Sequence, residues 1–108
     1  MNAKETELHR IVDTVIECCA TRDEDGNPSL TASDVLGNSR TENAVMTRCI
    51  LVEMILSAGF SVGTAAFLLH RSNGSVRRIR QTAAAFRATS RAYRIAEEEA
   101  TSRCLSLT

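Results

Sequence analysis

The chain has 108 residues and no formal net charge; it is 44% hydrophobic and 24% charged, with a single proline and no tryptophan. That length suits one domain with one core and leaves no room for an appended catalytic domain; the composition is that of a folded, helix-favouring protein. No apolar run reaches the roughly 20 residues a membrane span needs, and the polar opening Met1-Asn2-Ala3-Lys4-Glu5 is no signal peptide, so the expectation is a cytoplasmic protein with no membrane partner.

Lys4 to about Thr21 reads as an amphipathic helix, with Leu8, Ile11, Val12, Val15, Ile16 and Cys19 on one face. Arg22 to Ser29, containing Asp-Glu-Asp-Gly-Asn-Pro, reads as a loop. Thr31-Ala-Ser-Asp34 then opens a short helix that ends at Gly37, and Asn38-Ser39-Arg40-Thr41 forms a second loop. From Glu42 to about Ala58, apolar residues wrap most of the circumference of a helix, including Val45, Ile50, Leu51, Val52 and Ile55. Such a helix belongs in the middle of a bundle, and Gly59 closes it.

Ser61 is placed to cap a short helix whose Val62, Ala65, Ala66, Leu68 and Leu69 can face the core. His70-Arg71 makes a turn. Ser72 caps a second helix, in which Val76, Ile79, Ala83 and Phe86 form an apolar stripe. A last helix runs from about Thr89 to Leu105. The expectation is an all-α single domain over 1–108, of five or six helices, with a helix-turn-helix at about 61–87. In that motif Asn73, Gly74 and Ser75, in the first turn of the second helix, reach base edges in the major groove.

Charge supports the same direction. Between Met54 and Ala96 there is no Asp or Glu, yet Arg71, Arg77, Arg78, Arg80, Arg87, Arg91 and Arg94 all fall there. Asymmetry of this kind is the footprint of a phosphate-binding face. Arg77, Arg78 and Arg80 read as phosphate clamps or as the wet face of a helix. Asn73 reads as an adenine-matching amide or as a helix-start residue, and Gly74 as a site of close backbone approach.

No chemistry of another class is visible. Cys18, Cys19, Cys49 and Cys104 form no C-x-x-C pair and read as reduced, mostly buried thiols rather than metal ligands. Asp23-Glu24-Asp25 and Glu97-Glu98-Glu99 have no histidine or serine partner and read as solvated. The expectation is no enzyme, no cofactor, no metal and no small-molecule substrate.

Over nearly its whole length the chain resembles the C-terminal duplex-DNA-binding domain of the bacterial replication initiator DnaA. Asp34-Val35-Leu36-Gly37-Asn38-Ser39-Arg40 lines up with that family's acidic-apolar-apolar run and basic loop, Arg48 with an arginine early in its central helix, and Arg71-Ser72-Asn73-Gly74-Ser75-Val76 with its Arg-Asp-His-Thr-Thr-Val motif. The resemblance implies that Arg40 enters the minor groove, Arg48 and Arg71 hold the DNA backbone, Ser72, Asn73, Gly74 and Ser75 face bases, and Val76 anchors the recognition helix.

The family's Asp-His-Thr-Thr readers are Ser-Asn-Gly-Ser here, which implies a target other than the family's usual box. No G-x-x-x-x-G-K-[ST] pattern is present, so no ATP switch is expected. Met1 reads as the start of a standalone domain, or the chain as a piece of a longer protein. Double-stranded DNA is the expected partner. The alternative is a degenerate helix-turn-helix that docks a replication or transcription protein.

Overall fold

The computed structural model describes residues 3–19, 30–37 and 39–105. The loop expected over Arg22–Ser29 with its Asp23-Glu24-Asp25 run, the expected Thr21 end of the first helix, and Asn38 lie outside the described residues. Among the described residues there are six helices and no strand: α1 Ala3–Cys19, α2 Ala32–Leu36, α3 Glu42–Ser57, α4 Val62–Leu69, α5 Asn73–Thr89 and α6 Arg91–Leu105. None is long and apolar enough to cross a membrane.

The starts of α2 to α6 are each fixed by a short polar side chain. Thr31 and Asp34 form a reciprocal capping box on α2, with Thr31 N donating to Asp34 Oδ2 at 3.0 Å. The side-chain oxygens of Thr41, Ser61 and Ser72 accept from Ala44 N, Thr64 N and Ser75 N, capping α3, α4 and α5. α3 ends through Ala58 and Gly59, the latter at φ +96°, a left-handed geometry that glycine takes without a Cβ penalty. One long helix from 73 onward would have been compatible with propensity. It is broken at Ser90, whose extended backbone ends α5 and whose Oγ accepts from Tyr93 N at 3.1 Å. The last helix therefore starts at Arg91 rather than Thr89.

α3 is the axis of the domain and packs against all five other helices. Its Ile50, Leu51, Val52 and Ile55 are fully buried, meeting Val15 of α1, Val35 of α2, Leu69 of α4, Val76 of α5 and Tyr93 of α6 in one core. The expectation of an apolar central helix over Glu42–Ala58 holds. Phe86 and Tyr93 stack across the α5–α6 break, ring centroids 5.5 Å apart. The four cysteines are free; Cys49 is buried and Cys18, Cys19 and Cys104 are half-buried. Burial pushes the Cys19 and Cys49 thiols up to about 11, which keeps them protonated and poorly nucleophilic.

Candidate nucleic-acid interface

The turn between α4 and α5 is tight because His70 takes a left-handed conformation, φ 53° and ψ 44°. Its amide and that of Arg71 close back onto Phe67 O and Ala66 O, at 3.2 and 2.9 Å. Ser72 then starts α5, with its hydroxyl donating to Ser75 Oγ at 3.1 Å as well as capping Ser75 N. The amides of Asn73 and Gly74 are among the first of the helix and have no carbonyl a turn earlier to meet. Among the described residues, and outside the helix's own backbone, an added Cβ at Gly74 would meet Ser72 Oγ, at 3.8 Å. The free fold therefore has no steric need for glycine there.

With Val76 and Ala83 buried, the 100° step of the helix puts Gly74, Arg78 and Gln81 on the opposite side, with Arg77 at its edge and Asn73 on the flank nearer Val76, and all five are exposed. Arg77 and Arg78 have no ion-pair partner among the described residues. Arg80 and Arg87 lie on the flank of α5 that faces α3. Arg80 pairs with Glu53 at 3.5 Å. Arg87 pairs with Glu53 at 3.2 Å and is held by both oxygens of Glu97, at 2.7 and 2.8 Å. The basic run is thus partly neutralised from outside its own stretch of sequence. Glu97 is not the solvated acid its charge run suggested: its side chain is 16% exposed, and hydrogen bonds from Arg87 hold its carboxyl below the usual range. Arg94 spends one donor on Arg87 O at 3.0 Å.

The two arginines expected to hold a DNA backbone turn inward. Arg48 is 7% exposed. Its Nε donates to Val35 O at 2.8 Å, and its Nη2 lies 3.1, 3.1 and 3.0 Å from the carbonyls of Asp34, Gly37 and Ser39. These are the free carbonyls at the end of α2 and in the loop after it, the negative end of a helix dipole. Burial first, and the Arg71 charge next, lower the Arg48 pKa from the usual arginine value. A guanidinium so engaged is not presented to an outside phosphate, and this corrects the expectation for Arg48. Arg71, half-buried, donates through Nη2 to the same Gly37 carbonyl at 2.8 Å.

The fold therefore brings the loop after α2 against the α4–α5 turn, joining the expected Arg40 segment to the expected reading segment. Arg40 itself is exposed, with no hydrogen bond or ion pair among the described residues. Ser72, Asn73 and Gly74 are exposed and Ser75 half-buried at the start of α5. Sequence reasoning missed the inward role of Arg48 because its acceptors are backbone carbonyls, which no residue pattern displays. It also missed Phe67, which is 83% exposed on the outer side of α4. The chain matches no protein-family model, no curated protein and no solved structure.

Proposed function

We propose that the chain binds duplex DNA, with α4, the turn at 70–72 and α5 acting as a helix-turn-helix and α5 as the helix that enters the major groove. The observation that carries this reading is the exposed start of α5. Arg77 and Arg78 are exposed beside Asn73 and Gly74 with no ion-pair partner among the described residues, while the neighbouring Arg80 and Arg87 are neutralised by Glu53 and Glu97. Unpaired arginines match phosphate and guanine geometry, and Asn73 can donate to and accept from one adenine. Ser72 and Ser75 serve phosphate or base, directly or through water. Arg40 and Arg71 flank this start. Arg48 lies behind it and makes no contact. The order of helices and the Arg71–Val76 segment support a likeness to the DnaA C-terminal domain, with a changed set of readers.

Counterion release supplies the test. Binding of random-sequence duplex DNA should weaken steeply with salt, and Arg77→Ala and Arg78→Ala should each reduce the slope of log K against log salt by about 0.9. Slopes in both variants equal to the parent's would refute the surface. The second reading, docking of a replication or transcription protein, is favoured by Phe67, whose ring is too exposed to serve the core. An interaction of that kind would respond weakly to salt.

A further inference from the structure

We infer that Arg48 is a positioning residue for DNA binding, holding the loop at 37–41 from inside the fold so that Arg40 is presented beside the α4–α5 turn. This rests on the DNA-binding reading above and deepens it. α2 has five residues, so its last carbonyls find no partner within the helix. Arg48 gathers Asp34, Val35, Gly37 and Ser39 onto one planar guanidinium. The Ser39 carbonyl belongs to the peptide unit that joins Ser39 to Arg40, so Arg48 fixes the plane from which Arg40 departs. Arg71 ties the same loop from the other side at Gly37 O.

The loop is thus clamped between α3 and the turn at the head of α5. Its one cationic side chain, Arg40, is left exposed, with no hydrogen bond or ion pair among the described residues. The arrangement needs arginine and not merely charge. A lysine ammonium is a compact point with three donors and cannot replace a flat fork spread over four carbonyls.

The test is a substitution that keeps the charge and moves the loop. Arg40→Ala in the parent should lower the salt slope for random-sequence duplex DNA by about 0.9. Arg48→Lys should lower it by the same amount although no charge has been removed, and adding Arg40→Ala to Arg48→Lys should change nothing further.

Gly37→Ala gives a second, independent approach. An added Cβ would lie 2.6 Å from Ser33 O, so the loop must shift while every ionisable group is retained. The same loss of slope and of Arg40 dependence is expected, and this variant decides the matter if Arg48→Lys does not fold. All titrations are made where circular dichroism shows the variant folded. A lowered melting temperature with the parent's slope, and with Arg40→Ala still costing its full share, would make Arg48 purely structural and overturn the inference. An Arg40→Ala slope equal to the parent's would overturn it as well. A parent without salt-dependent duplex binding would instead remove the DNA-binding reading itself.

Discussion

The two ends of α5 carry similar arginines and meet different fates. Nearer its start, Arg77 and Arg78 project away from Val76 and Ala83 and have no ion-pair partner among the described residues. From its middle to its end, Arg80 and Arg87, seven residues apart on one flank, reach Glu53 of α3 and Glu97 of α6. The first end is an open electrostatic surface, and the second is a cross-brace among three helices. A stretch free of acids in sequence is therefore not free of them in space. Which arginines remain available is decided by the helical angle at which each leaves α5.

Three changes would break or sharpen this contrast. The largest is Val52→Asp, which puts an unpaired carboxylate at a fully buried position of α3, the helix both ends of α5 depend on. It should cost several kcal/mol, of order 3–5, and abolish cooperative unfolding. A melting curve like the parent's would mean that α3 is not the axis of the domain.

Next is Arg87→Ala, which removes the centre of the cross-brace. With Arg87 still 43% exposed, water screens the pairs, and the expected loss is about 1 kcal/mol in chemical denaturation. The salt slope of duplex binding should stay at the parent's value, the reverse of Arg78→Ala. If Arg87→Ala changed the slope and left stability alone, the division of α5 into two ends would be wrong.

The smallest effect is the acid limb of stability. Glu97 is held below its ordinary pKa of 4.5, chiefly by hydrogen bonds from Arg87. Its contribution is therefore complete above the unfolded value and is lost as pH falls through the lower folded one. Denaturation midpoints should drop below about pH 4.5 in the parent, and Arg87→Ala should show a shallower drop over the same range. Equal acid limbs in the two proteins would show that this pair does not contribute.

Much of the architecture was legible because it rests on local chemistry. Thr31, Ser61 and Ser72 announce their helices as caps, Gly37 and Gly59 mark two ends, and the apolar wrap of 45–56 fixes the middle of the bundle. The start of the last helix was misplaced by two residues, Thr89 for Arg91, because no proline or glycine marks the break at Ser90; a serine cap and the Phe86–Tyr93 stack make it instead. The charged residues were harder to read. Glu97 stands in a run of three acids yet is the one turned toward Arg87, and Arg48 looks like any surface arginine until its carbonyl partners are in view. Helical periodicity reports which side of one helix is apolar; it does not report what a neighbouring helix offers to a charge on the boundary.

The way Arg48 and Arg71 close the end of α2 also bears on the order of folding. A five-residue helix has too few internal hydrogen bonds to persist alone in water. The donors that complete α2 come from positions 13 residues beyond Val35 and 34 residues beyond Gly37. The expectation is that α2 is a late and dependent element, ordered once α3 and the head of α5 have docked. Amide exchange at Val35 and Gly37, bonded to Thr31 O and Ser33 O, reports that docking rather than any stability of α2 itself.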